Sequence, residues 1–164
     1  MKPAADEAPV PVAGSVPVTV VIAARDEGAE IADCVRSVAW ACEVLVVEND
    51  SQDDTIERAR AAGATVFSHP FQTIGGQRNA AITRASQPWV LVVDADERGT
   101  PALAAEVATV VTAPPGATRA FRAPRRNFFL GREIRHGGWE RDRPVRLFDA
   151  RSCYDERPVH VHVV

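Results

Sequence analysis

The stretch Trp89-Val90-Leu91-Val92-Val93-Asp94-Ala95-Asp96 decides the fold of this chain. Its unbroken apolar run marks a strand buried on both faces, the kind found at the centre of a parallel sheet. Asp94 and Asp96, two positions apart at the end of that run, put concentrated negative charge on the rim of the sheet. In open α/β sheets ligands bind beyond the carboxyl ends of the strands, and hard divalent cations take carboxylate oxygen. Asp94-Ala95-Asp96 therefore has the form of a metal clamp for a nucleotide diphosphate. Acidic residues after a strand also cap the helix that follows, so the motif needs its context.

The flanking sequence supplies a repeating pattern. Val18 to Ala23 is a short β-branched run, and Val44-Leu45-Val46-Val47 within Glu43–Val47 is a second. Between them, Ile31, Cys34, Val35, Val38 and Ala39 form a helical stripe inside Gly28–Ala41. Asp53 or Asp54 caps a helix to Ala62, which Gly63 ends. Ala64–Phe67 is a third strand, and Gly75 and Gly76 open a helix through Arg84. Past the central strand, Thr100 with Pro101 starts a helix lasting to about Thr112, and Pro114-Pro115-Gly116 breaks it. This alternation predicts an α/β fold, a mostly parallel sheet flanked by helices. Ala120–Ala123, Asn127–Leu130 before the Gly131 turn, Pro144–Phe148 and Val159–Val164 read as strands of a mixed or antiparallel C-terminal part. Residues 1–16 are rich in Pro, Ala and Val without periodicity and are expected to be a disordered lead before a domain spanning 17–164. The chain stops within a strand pattern, so the domain is expected to be incomplete at its C-terminus.

Bulk composition excludes several classes of function. The chain has 164 residues, enough for one domain with a real core. A net charge of −3 provides no field that would draw it to nucleic acid. Lys2 is the only lysine, and no apolar stretch approaches the roughly 18 residues of a membrane span. Cys34, Cys42 and Cys153 form no Cys-x-x-Cys pair, which fits buried thiols in a reducing compartment, and no signal-peptide core is present. A cytoplasmic protein is expected.

The first two strands also end in polar clusters, Arg25-Asp26-Glu27-Gly28 and Glu48-Asn49-Asp50-Ser51-Gln52-Asp53-Asp54-Thr55. In a parallel sheet these loops share one edge with Asp94 and Asp96. The edge would be a cleft whose acids hydrogen-bond a nucleoside while a metal holds its diphosphate. Asp53 and Asp54 serve a helix N-cap equally well, whereas Glu48 emerges directly from its strand.

Val20–Glu27, Val46–Thr55, Gly76-Gln77-Arg78-Asn79-Ala80-Ala81 and Val93–Glu97 resemble, in order and spacing, the serial motifs of family 2 inverting glycosyltransferases of the GT-A fold. Arg125–Gly131, Ile134–Trp139 and Arg146-Leu147-Phe148 are similar to the branch containing lipopolysaccharide-core glucosyl- and heptosyl-transferase-like proteins. The resemblance implies that Asp26 and Glu48 lie by the nucleobase and ribose, Glu48 standing where the family often has Asp. It implies Asp94 beside the donor sugar or ribose, Asp96 on Mn²⁺ or Mg²⁺, and Arg78 near the metal-binding acids or the diphosphate. A nucleotide-sugar donor, with UDP as its expected carrier, and a glycan or glycolipid acceptor follow from the family, with a peripheral membrane contact at the inner face. Inversion needs a base for the acceptor hydroxyl. Asp142 and Glu140 are the candidates, and Asp142 matches the position at which related proteins carry an acid.

Trp139 suits stacking on a sugar ring, although a tryptophan also suits a core. His160 and His162 share a strand face, but two histidines without a third ligand make a poor metal site, and the acid that family members often carry after the first is Val161 here. Two other readings stand beside the transferase. A sugar-phosphate nucleotidyltransferase would want a glycine-rich basic loop after the first strand, and Ala23–Gly28 has a single glycine. A nucleotide-sugar-binding domain without turnover is the non-enzymatic alternative.

Overall fold

The computed structural model describes residues 11–114, 116, 118–138, 142–155, 162 and 163. Among these, the elements run β1 (Val16–Ala24), α1 (Ile31–Ser37), β2 (Ala41–Glu48), α2 (Thr55–Ala61), β3 (Thr65–Ser68), α3 (Ile74–Ile82), β4 (Trp89–Asp94) and α4 (Pro101–Thr112). There follow β5 (Ala120–Arg122), β6 (Phe128–Phe129), β7 (Arg132–Glu133) and β8 (Val145–Asp149). A six-stranded sheet has the order β3-β2-β1-β4-β8-β5, while β6 and β7 form a separate hairpin. The first four strands pair in parallel, and β8 runs antiparallel to both β4 and β5.

The apolar runs are explained by burial on both faces. Val18, Val20, Ile22 and Ala24 of β1 point to a core closed by Ile31, Cys34 and Val35 of α1, Ala59 of α2, and Ala104 and Val107 of α4. Val21, Val47, Val90 and Val92 point the other way, against Ala81 and Ile82 of α3, Phe148 and Tyr154. The alternation has the two-residue period of a strand, yet both sets are apolar, as a central parallel strand requires. Thr19 is the polar exception. Fully buried, its hydroxyl donates to Glu43 Oε2 at 2.5 Å and accepts from the Gln87 N–H at 3.2 Å.

Several boundaries differ from the expected ones. β1 begins at Val16, and the Gly14 and Val16 N–H groups donate to the carbonyls of Ala39 and Trp40. The tail end of the expected disordered lead is thus tied to the start of β2; residues 1–10 lie outside the described residues. α1 is shorter than its stripe because Gly28–Glu30 turn toward the β2–α2 loop and Ala41 pairs with Val16 in the sheet. α3 starts at Ile74, capped by Thr73 Oγ1, which accepts from the Gly76 N–H at 2.9 Å. α4 runs from Pro101 to Thr112, with Thr100 Oγ1 accepting from the Leu103 N–H.

The C-terminal part is mixed, as expected: β6 and β7 stand apart as a hairpin, while the other two strands join the main sheet. β8 and β5 extend it directly. Most of the expected strand Val159–Val164 lies outside the described residues, and Val163 makes a single antiparallel bridge to Tyr154. Of the three cysteines, all free, Cys34 is buried, but Cys42 and Cys153 are exposed, contrary to the expectation of buried thiols. No helix among the described residues is long and apolar enough to cross a membrane.

Candidate active site

Strand register brings the candidate acids to one edge. Ala24 of β1 stands opposite Glu48 of β2, and Ala23 opposite Asp94 of β4. The segments that follow, Arg25–Gly28, Asn49–Asp54 and Ala95–Glu97, therefore leave the sheet side by side. Hydrogen bonds stitch the first two together. Asp26 Oδ1 accepts from the Gln52 N–H at 2.7 Å, and its own N–H donates to Ser51 Oγ at 3.2 Å. The Glu27 N–H donates to Thr55 Oγ1 at 2.8 Å, and the Gly28 N–H to Asp53 Oδ2 at 2.9 Å. Asp26 and Asp50 adopt φ of 54° and 51°, left-handed values that Asp tolerates better than bulkier residues. A Cβ on Gly28 would collide with the carboxylate oxygens of Asp53 and Asp54, so a larger residue fits there only if those side chains move.

The acids expected to bind donor divide into distinct environments. Glu48 is 2% exposed, accepting from Ser68 Oγ and from the Ser51 N–H at 3.1 Å. Its carboxylate braces the loop from beneath. Asp54 is the N-cap residue of α2 but its carboxylate pairs with Arg58 at 2.6 Å, while Asp53, one residue earlier, accepts from the Thr55 N–H at 3.0 Å. Asp96 is exposed, with no hydrogen bond or ion pair to a described residue. Glu27 sits close by. Its carboxyl is pushed above its ordinary value by burial, then by the negative charges of Asp96, Glu30, Asp53 and Asp26.

Asp94, by contrast, is gripped from two sides. Its Oδ1 accepts from Arg78 Nη2 at 2.6 Å and its Oδ2 from Arg146 Nη2 at 2.8 Å. Burial alone would raise the Asp94 carboxyl, but the hydrogen bond and charge of Arg146, then those of Arg78, hold it below the usual carboxylate range. Arg146 also donates to Glu97 Oε1 at 2.6 Å; Arg125 Nη1 reaches the same oxygen at 3.4 Å, and Arg125 Nε donates to Asp142 Oδ2 at 2.9 Å. The result is a continuous chain, Arg78–Asp94–Arg146–Glu97–Arg125–Asp142, alternating in sign and crossing from α3 to the segment before β8. It bounds a cavity of about 420 Å³ lined by Arg78, Asp94, Arg122, Arg125, Asp142 and Arg146. Arg78 further lies 5.1 Å from the Tyr154 ring centroid, and Asn79 pins the Tyr154 backbone through both its amide groups.

Asp26, Glu48, Asp94 and Asp96 thus emerge at one sheet edge, and Arg78 and Asp142 join it through the arginine chain. Glu140, Trp139 and His160 lie outside the described residues. Among the described residues, no group of three or more His, Cys, Asp and Glu is placed to hold a metal by itself. The structure adds Arg146, Glu97 and Arg125, to which the sequence assigned no individual role. One signal was present: Arg146 interrupts the apolar run Val145–Phe148, and a charge inside a buried strand is rare unless paired.

Residues 19–151 match the glycosyl transferase family 2 description, most of the chain, and the chain belongs to that family. A protein of Rickettsia prowazekii called uncharacterized glycosyltransferase RP128 is 37% identical over 92 residues, which cover 56% of this chain and 32% of that protein. The lipopolysaccharide core biosynthesis glycosyltransferase LpsC of Rhizobium meliloti is 28% identical over 120 residues, 70% of this chain and 44% of LpsC. The chain therefore spans less than half the length of these relatives. Among solved structures, Mycobacterium tuberculosis glucosyl-3-phosphoglycerate synthase in complex with Mn²⁺, UDP and phosphoglyceric acid superposes with a TM-score of 0.50 at 26% identity, covering 59% of this chain and 39% of that one. The same enzyme with Mg²⁺ and UDP matches with the same score and identity, covering 40% of its chain.

Proposed function

We propose that the edge formed by β1, β2 and β4 binds a nucleotide-sugar, with UDP as the expected carrier, and that the sugar is transferred with inversion to a glycan or glycolipid acceptor. The observation that carries this reading is the register that sets Asp26, Asp94 and Asp96 on one edge while leaving Asp96 without a partner among the described residues. The UDP and Mn²⁺ held by the mycobacterial synthase support the donor and the metal. LpsC supports an acceptor of the lipopolysaccharide-core kind.

The residues present fit a divalent cation. Asp96 is a hard oxygen donor without a partner among the described residues, and the negative charges that add to burial in raising Glu27 are offset by positive charge in the same cluster. Mn²⁺ or Mg²⁺ held by one or two carboxylates takes its remaining ligands from substrate phosphate and water. When bound, the cation would neutralise the leaving diphosphate. Asp26 lies where a nucleoside enters, and Glu48 supports that loop from inside. Arg78, locked to Asp94, offsets the acids beside the diphosphate. Asp142, oriented by Arg125, is the base proposed to take the proton of the acceptor hydroxyl as its oxygen attacks the anomeric carbon; Glu140 is the alternative. Reaction at the inner face of the cytoplasmic membrane would suit a glycolipid acceptor.

Calorimetric titration of UDP with and without Mn²⁺ tests the reading on the wild type and on Asp96→Ala. Metal-dependent binding lost in the variant, with an unchanged melting temperature, is expected. Equal affinity in the two proteins would remove Asp96 from the metal site.

A further inference from the structure

We infer that the arginine-lined cavity on the β8 side of Asp94 seats an anionic group, a phosphate monoester or a carboxylate, carried by the acceptor. The inference rests on the transferase reading above and adds the chemical class of the acceptor to it. The cavity wall carries Arg78, Arg122, Arg125 and Arg146 against only Asp94 and Asp142, an excess of positive charge in a chain whose net charge is −3. Glu97 compensates part of that excess through Arg146 and Arg125.

Donors remain available after these pairings. Arg122 Nη1 donates to the Arg143 carbonyl at 2.9 Å, and no described carboxylate balances its charge. Arg78 retains a buried Nε with no acceptor among the described residues. The Arg146 side chain is only 7% exposed, so its charge acts through a medium that screens poorly. Guanidinium groups suit phosphate and carboxylate because their N–H groups bond two oxygens at once. A volume of about 420 Å³ falls in the range of small-ligand sites.

The cavity shares Arg78 and Asp94 with the donor edge, and the rest of its charged wall lies away from that edge. The nucleotide edge is made by the loops after β1 and β2, on one side of β4, whereas the cavity lies toward β8 on the other side. Asp142 is on the cavity wall. An acceptor anchored there by its anion would bring a neighbouring hydroxyl to the proposed base.

Inorganic phosphate is the probe. It is titrated calorimetrically into the full chain, alone and with saturating UDP and Mg²⁺, and then into Arg122→Gln. Phosphate is expected to bind equally well with and without UDP–Mg²⁺. Arg122→Gln, at an exposed position of β5, should weaken phosphate about tenfold without changing the melting temperature or UDP affinity. Competition between phosphate and UDP–Mg²⁺ would assign the cavity to the donor's diphosphate and overturn the inference. UDP–Mg²⁺ binding without phosphate binding would overturn it alone, leaving the transferase reading intact. Phosphate binding without UDP–Mg²⁺ binding would fell the donor reading and the acceptor assignment with it.

Discussion

Arg146→Met should cost this domain about 3 kcal/mol, the lower end of the range for breaking a buried ion pair from one side. Arg146 is 7% exposed and joins Asp94 at 2.8 Å to Glu97 at 2.6 Å. Methionine fills most of the apolar volume of the arginine stem, so the loss comes from the two carboxylates rather than from a cavity. It falls at the low end because Asp94 and Glu97 are 33% and 25% exposed and keep Arg78 and Arg125 respectively. A domain with a total of roughly 5–15 kcal/mol would show this clearly in a urea melt at pH 7. Adding Asp94→Asn removes one stranded charge, so the loss in the double variant should be at least about 1 kcal/mol smaller than the sum of the single losses. The pH dependence has a definite sign. Asp94 is held below its ordinary range in the fold, so its contribution is complete above the unfolded carboxylate value and fades as pH falls through the folded one. The deficit of Arg146→Met should therefore be constant above about pH 5 and shrink below about pH 4. A loss under about 1 kcal/mol, the scale of an exposed pair, would refute the reasoning, as would strict additivity in the double variant.

Burial pushes the Cys34 thiol up to about 12, so at pH 8 a thiol-specific chromogenic reagent should titrate Cys42 and Cys153 in the native protein and all three cysteines in denaturant. Rapid native reaction of a third thiol would contradict the packing of α1 on the sheet. Gly28→Ala should destabilise by about 1–3 kcal/mol and weaken UDP–Mn²⁺ binding, because its Cβ displaces the Asp53 carboxylate that joins the two loops through the Gly28 N–H; calorimetry and a urea melt on the same sample read both effects. Asp149 is held well below the carboxylate range first by the Arg151 side chain and backbone N–H, then by Arg119. Its stabilising effect is present above the unfolded value, so Asp149→Asn should lower the melting temperature at pH 7, and the gap should close as pH drops below about 4.

Much of this architecture was legible because central parallel strands are buried twice over. The runs at β1, β2, β3 and β4 contain little but apolar and β-branched residues, and α4 carries its start signal in Thr100-Pro101. The start of α3 was less legible: Thr73 caps it, but the glycine pair that follows drew the boundary inward. Sheet order depends on pairings between distant segments, and nothing local to Val145–Phe148 says that it lies against β4. The same limit governs the site. Asp26, Asp94 and Asp96 stand out because each follows a strand. The partners of Asp94 lie 16 and 52 residues along the chain, at Arg78 and Arg146, and only the fold brings them to it. Glu48 follows its strand as a ligand would, but the hydrogen bonds it accepts from Ser51 and Ser68 join segments 3 and 20 residues away, and no local pattern announces them.

The two sides of β4 therefore carry opposite electrostatics, with Asp94 at their boundary. Toward β1 and β2, burial and then the charges of neighbouring acids raise Glu27, and positive charge lowers the energy of that arrangement. Toward β8, arginines outnumber carboxylates on the cavity wall, and negative charge is favoured there instead. A metal-bound nucleotide on the first side and an anionic acceptor on the second would each settle in the field that suits it, and the two substrates would meet across Asp94. Arg78 and Arg146 hold that carboxylate from both oxygens, so its position is set by the fold. Such preorganisation avoids reorientation of charged groups at the moment of transfer.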